Sequence, residues 1–241
     1  MNQSILLDAR LAAAAHYVRR GAVFADVGSD HGYLPVFLVE NGQVSSAIAS
    51  DISLGSIASA RRNIAEHHLE DQIETVVCDG VAPLADRAPT DIAICGMGGE
   101  LIADIIDRAK FVFDSRVRLI LQPMSRPHLL RRYLAEHGFA RVDETVCIAS
   151  DRVYFCICAE YDGVRRTLSL IEEYLGFASV DDVKSDEREA MYEGACRLRD
   201  TTVDILKGKS KAGIDTAQEF ELISALDGFV AALENLTEKS I

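Results

Sequence analysis

Short apolar runs rich in β-branched residues alternate, from residue 23 to residue 161, with stretches whose apolar positions recur at helical spacing. The runs fall at 23–27, 46–50, 73–78, 91–95 and 117–122, and two more follow at 142–148 and 153–160. Strand and helix patterns in alternation predict βαβ units and a mostly parallel sheet. Only residues 149–152 separate the last two runs. A parallel crossover needs about a dozen residues or more, so this pair is expected to be an antiparallel hairpin. The expected fold is α/β, Rossmann-like, with five parallel strands closed by that C-terminal hairpin.

Beyond residue 161 the pattern changes. Met191, Ala195, Leu198, Thr202 and Ile205 recur at alternating steps within 185–207, and Ile223, Leu226, Val230 and Leu233 do so within 216–236. The polar stretch Lys207-Gly-Lys-Ser-Lys-Ala-Gly213 lies between them and is expected to be a turn. Thr216 followed by Glu219 fits a capping box opening the second helix. An antiparallel helical hairpin is therefore expected, dividing the chain into 1–161 and 162–241. The Gly-Lys-Ser of 208–210 is not a phosphate-binding loop: Val203 stands where the earlier glycine would fall, and no strand precedes it.

Composition narrows the function. The chain has 241 residues, 49% of them hydrophobic, enough for a substantial core. No apolar run approaches the roughly 20 residues that cross a bilayer, and the opening residues lack the layout of a secretory signal. No membrane association is expected, and the chain reads as cytoplasmic. Its six cysteines contain no Cys-x-x-Cys pair and suit reduced, packed thiols. His16, His67, His68, His128 and His137 show no metal-like spacing and read as surface residues, so no metal is expected. The net charge of −13 excludes a protein that coats nucleic acid nonspecifically. Any nucleic-acid contact must be a local patch.

The strongest local signal is Ala25-Asp-Val-Gly-Ser-Asp-His-Gly-Tyr33, between the first strand and a helical stretch. Glycine at such a turn lets backbone approach a ligand closely, and Gly28 and Gly32 suit that role. Where a dinucleotide fold expects a middle glycine the chain has Asp30, whose charge would oppose a pyrophosphate. A sulfonium cofactor carries positive charge and an ammonium group, so Asp26 and Asp30 suit S-adenosyl-L-methionine better than NAD. Asp51 ends the second run, where an acid can accept from both ribose hydroxyls. Asp79 ends the third, where it can accept from an adenine amino group. Each acid alone could instead be a helix cap or loop residue. Together they crown one sheet edge, the edge at which open α/β sheets bind ligands.

Three strings, Asp26-Val-Gly-Ser-Asp-His-Gly-Tyr-Leu-Pro35, Gly96-Met-Gly-Gly99 and Leu119-Ile-Leu-Gln-Pro123, resemble the bacterial tRNA methyltransferases acting on N1 of adenine 22. Arg10-Leu11, residues 134–139 and Tyr154 add to the match, which covers 5–160 in order. The resemblance implies a class I methyltransferase domain followed by a coiled-coil hairpin, with S-adenosylmethionine as cofactor and tRNA as partner. Cofactor contacts are then expected from Asp26, Gly28, Ser29, Asp30, His31, Gly32, Asp51, Ile52, Asp79, Gly80, Gly96, Met97 and Gly98. His31 could equally serve loop geometry alone. Asp30, Tyr33 and Gly98 are candidates beside the reacting methyl, with no general base assigned, because adenine N1 carries a lone pair and no proton. Gly99, Gln122, Pro123, Arg126 and Arg131 are candidates for the substrate. Basic clusters at Arg126, His128, Arg131 and Arg132, at Arg61 and Arg62, and at Lys207, Lys209 and Lys211 could meet phosphates or simply be solvated. Two other readings stay open: a methyltransferase for a small molecule or protein, and a non-catalytic adaptor with a degenerate cofactor fold.

Overall fold

The computed structural model describes residues 5–238, and residues 1–4 and 239–241 of the two expected segments lie outside the described residues. Contacts divide the chain into two units, Met1–Thr145 with Tyr154–Arg166, and Val146–Val153 with Thr167–Ile241.

The first unit is built on strands β1 (Phe24–Val27), β2 (Ala47–Asp51), β3 (Ile73–Val77), β4 (Asp91–Gly98) and β5 (Arg118–Ser125). Two more, β6 (Phe139–Ala149) and β7 (Arg152–Tyr161), complete a seven-stranded sheet of order β3-β2-β1-β4-β5-β7-β6. The first five strands are parallel, as the run pattern predicts, and β7 runs antiparallel to β5. The connection between β6 and β7 is only Ser150 and Asp151, both at positive φ. That is the backbone a two-residue hairpin turn requires.

Because side chains alternate along a strand, the sheet has two buried faces. Ala25, Val27, Ile92, Ile94, Leu119 and Leu121 pack beneath helices α4 (Gly99–Arg108) and α5 (Pro127–Glu136), through Ile102, Ile105, Ile106, Leu130 and Leu134. On the other face Phe24, Ala49, Ala93 and Ile120 meet α1 (Ala9–Tyr17), α2 (Tyr33–Glu40) and α3 (Leu54–Glu66). Parallel strands sandwiched in this way read as continuous apolar runs, and β1 is buried at every residue. The edge strand β3 carries polar side chains on both faces: Glu74 pairs with Arg87, and Thr75 accepts from Arg61 at 2.8 Å.

At the amino edge of the sheet Asp91 is fully buried. Arg19 closes on it with its backbone N–H at 2.7 Å and its guanidinium at 2.6 Å.

In the second unit, Ser169 and Glu172 form a capping box that opens α6 (Leu170–Leu175). The long helices α7 (Arg188–Lys211) and α8 (Ala217–Glu238) follow. Tyr192 reaches Glu234, Arg199 reaches Asp227 and Lys209 reaches Glu219, a descending register that makes the pair antiparallel. The expected turn is shorter than its sequence suggests, since 207–211 continue α7 and Gly208 lies inside the helix. The expected capping box does not hold Glu219, whose carboxylate goes to Lys209 at 2.6 Å, while Asp215 accepts from the Ala217 N–H. The buried seam of α8 runs through Leu222, Leu226, Phe229, Val230 and Leu233, with Ile223 only half-buried. Ile205, expected in the α7 seam, is 48% exposed.

Replacing Arg19 with Ala leaves Asp91 buried without its counter-charge. Urea denaturation is expected to show a loss of about 3–5 kcal/mol. A loss under about 1 kcal/mol would mean the pair behaves as an ordinary surface ion pair.

Candidate active site

The two-residue period that builds the core also selects the chemistry at its carboxyl edge. Asp26 shares the face of Phe24, Cys95 that of Ala93, and Gln122 that of Ile120, so all three lie on the α1–α3 side. Asp26 is 7% exposed. Burial pushes its carboxyl up to about 6, the Ser29 hydroxyl beside it pulls the other way, and the negative charge of Asp51 adds to the rise. The Cys95 thiol is pushed far above its ordinary value by burial and by the neighbouring Asp26.

After β1 the chain turns at Gly28 with φ +81, a region side-chain-bearing residues avoid. Its N–H and that of Ser29 both donate to the Ser50 carbonyl, at 2.8 and 2.9 Å, which pins the turn to β2. A Cβ on Gly28 would lie 2.3 Å from the Met97 methyl, so the missing side chain is what admits Met97. The Ser29 hydroxyl is buried, and no acceptor or donor stands at full hydrogen-bond geometry to it. Asn63 of α3 donates to the His31 carbonyl at 2.9 Å and steadies the far side of the loop. His31 lies 3.2 Å from the Asp30 carboxylate and stacks on Tyr33 at 5.2 Å.

This loop forms one wall of a cleft of about 300 Å³, lined by Arg10, Leu11, Asp26, residues 28–34, Cys95 and Gly96. Such a volume is at the lower end for small-molecule sites. Beside it the strand ends continue as open surface. The Asp51 carboxylate accepts from the Ser53 N–H at 2.7 Å, and Ile52 is 69% exposed. The Cys78 N–H donates to the Asp51 carbonyl at 3.0 Å, bringing Asp79 and Gly80 next to β2. Asp79 is paired with Arg108 of α4 at 2.8 Å. Met97, Gly98 and Gly99 join β4 to α4, and a Cβ on Gly99 would fall 2.4 Å from the Arg126 carbonyl oxygen. Gln122 and Pro123 are buried at the end of β5.

Residues 7–157 match the family model described as a methyltransferase domain. The tRNA (adenine(22)-N(1))-methyltransferase of Bacillus subtilis strain 168 is 35% identical over 178 residues, 71% of this chain and 74% of that protein. The chain belongs to this tRNA methyltransferase family. Among solved structures, the B. subtilis M1A22 tRNA methyltransferase TrmK superposes with a TM-score of 0.75 at 30% identity, covering 96% of this chain and 98% of that one. The Streptococcus pneumoniae protein Sp1610, solved in complex with S-adenosyl-L-methionine, gives 0.79 at 30% identity over 93% and 100%.

The residues of this methyltransferase fit its cofactor. Asp26 is a buried carboxylate held above its ordinary pKa, which a bound ammonium would relieve. Of the expected cofactor contacts, Asp26, Gly28, Ser29, Asp30, His31, Gly32 and Gly96 line the cleft. Asp51, Ile52, Asp79 and Gly80 lie at the adjoining strand ends. Among the described residues no group of three or more His, Cys, Asp or Glu is arranged to hold a metal, and no helix is long and apolar enough to cross a membrane.

Other placements differ from expectation. Arg131 is 4% exposed, paired with Glu144 at 2.6 Å and stacked over Phe155, so it offers nothing to a phosphate. Arg126 is exposed and paired with Glu100. Arg61 and Arg62 reach Thr75 and Ser59, and Lys207 reaches Asp204. His67 is largely buried, 2.6 Å from Glu40, rather than a surface residue. The sequence pattern did not single out Asn63 or Cys95 as site-forming, because neither belongs to a glycine turn or an acid-ended strand.

Asp26→Asn is expected to stabilise the cofactor-free protein at neutral pH by about 3 kcal/mol. The folded carboxyl, at about 6, titrates above its ordinary 3.8. Its contribution to stability is therefore full below the lower value and is lost as pH rises through the upper one, so the gain from Asn should vanish below about pH 4. Cofactor affinity should fall in the same variant. Denaturation at the two pH values with calorimetry checks both, and unchanged stability at neutral pH would contradict the burial account.

Proposed function

We propose that this chain transfers a methyl group from S-adenosylmethionine to N1 of an adenine in tRNA, at position 22, and does so in the cytoplasm. The observation that carries the reading is the match to the B. subtilis tRNA (adenine(22)-N(1))-methyltransferase across about seven-tenths of both chains. In this reading residues 1–161 form the catalytic domain and 162–241 a helical appendage to it.

When bound, the cofactor supplies an electrophilic methyl on a sulfonium. The chain's own residues have the task of aligning and neutralising. Asp26 accepts from the ammonium end, and Asp51 from the ribose hydroxyls, where a charged acceptor holds both at once. Asp79 accepts from the adenine amino group with the lone pairs that Arg108 leaves. Gly96, beside which a side chain would meet nothing within 4 Å, keeps the cleft wall clear where a flat base must approach. Adenine N1 needs no deprotonation, so its attack requires no general base. The methylated base is a cation, and Asp30 with the carbonyls of the glycine strand lies where positive charge is favoured. Tyr33 packs at the margin of the base, and Arg126 is the cation for a phosphate beside it. The target adenine must leave its stack, at a cost of a few kcal/mol.

Labelled methyl should pass from S-adenosylmethionine to unmodified tRNA, and mapping of the product should place it on one adenine N1. Binding of RNA should weaken steeply as salt rises. Cofactor binding without any transfer to tRNA would overturn the substrate. Asp51→Ala is expected to weaken cofactor binding by about 1–3 kcal/mol in calorimetry, and an unchanged affinity would remove it from the site.

A further inference from the structure

Gly96 stands where β4 slips out of register with β5. Cys95 pairs with Gln122 and Met97 with Pro123, so Gly96 has no partner in the ladder. Its N–H is met by the side chain of Gln122, whose Oε1 accepts at 3.2 Å. A carboxamide is ambivalent there: turned over, it would set an NH2 against that N–H, donor against donor. Gln122 is fully buried, so water cannot settle the choice.

Two contacts settle it. The Gln122 Nε2 donates to the Pro123 carbonyl at 3.2 Å, and Arg10 Nη1 donates to Oε1 at 3.3 Å. A guanidinium can only donate, so whatever faces Arg10 must be oxygen. Arg10 is itself fixed. Asp8 takes its Nε and Nη2 at 3.1 and 2.6 Å, Nη1 also reaches the Met124 sulfur at 3.4 Å, and the guanidinium lies 5.4 Å from the Tyr154 ring centre. Arg10 and Gly96 line the same cleft.

We propose that Arg10 is a positioning residue for methyl transfer. It demands an acceptor from Gln122, Gln122 thereby accepts from Gly96, and the glycine turn on the cleft wall keeps one shape. A purely structural arginine tying α1 to the sheet would matter for stability alone. An arginine gripping tRNA would matter for KM and salt dependence.

The inference rests on the methyltransferase reading only for its kinetic arm, because exchange of the Gly96 amide can be followed by NMR in the cofactor-free protein. Arg10→Gln can face Gln122 with either donor or acceptor, whereas Arg10→Lys can only donate. Arg10→Gln is expected to speed Gly96 amide exchange by about ten-fold or more. It should also lower kcat by about ten-fold or more, because small misplacements at a reacting centre are costly. The KM for tRNA should stay within about two-fold. Arg10→Lys should keep both the protection and most of kcat. If Arg10→Gln alone does not fold cooperatively, Arg10→Met, which offers Gln122 no donor, carries the test and should speed Gly96 amide exchange in the same way. The proposal is overturned by wild-type exchange in Arg10→Gln, by a loosened amide with unchanged kcat, or by a loss confined to KM. It is equally overturned if Arg10→Lys is as damaged as Arg10→Gln, or if the folded Arg10→Met variant keeps wild-type Gly96 protection.

Discussion

A carboxylate buried without a cation governs this site. Asp26 lies one residue from the end of a strand with no exposed position, on a face closed by three helices. Removing that charge from water is costly, and the carboxyl responds by holding its proton more tightly. The loop beside it is held in place. The glycine turn is tied by two N–H groups to the Ser50 carbonyl. Asn63 fixes the loop from the other side. A site held in this condition gains most from a ligand that brings positive charge.

The same economy of charge explains how an acidic chain presents so few loose cations near its carboxyl edge. Arg108 is committed to Asp79, Arg126 to Glu100 and Arg131 to Glu144. The last pair is buried and stacked on Phe155, whereas the first two are exposed, where solvent screens the attraction and exchange of partners is inexpensive. A polyanion approaching the edge can therefore recruit Arg108 or Arg126 from its carboxylate at little cost, and cannot recruit Arg131.

What was legible in the sequence follows from local patterning. Continuous apolar runs announced the buried parallel strands, and the short link before the last run announced the hairpin, because both depend on neighbours in the chain. Asp26, Asp51 and Asp79 were legible because each ends a run, and a parallel sheet gathers such ends at one edge. Arg131 was misread because it stands in an arginine-rich helix, and only tertiary packing brings Glu144 and Phe155 around it. Gly208 suits a turn by composition, yet α7 continues through it despite a propensity cost of about 1 kcal/mol. Ile223 was placed in the seam from its spacing, while Leu222 is the residue that α8 buries. The hydrogen bond from Gly96 to Gln122 had no sequence signal, because it depends on a bulge between two strands.

The guarded edge of β3 bears on how the molecule behaves in company. An outermost strand offers a row of unpaired backbone groups on which another copy could add itself, and chains that leave it bare tend to clump. Here Glu74 with Arg87, and Arg61 with Thr75, set charge and bulk along that margin. Neutralising those side chains would leave the core untouched while turning the margin into a template for cross-β stacking, so crowding tolerance is written into residues remote from catalysis.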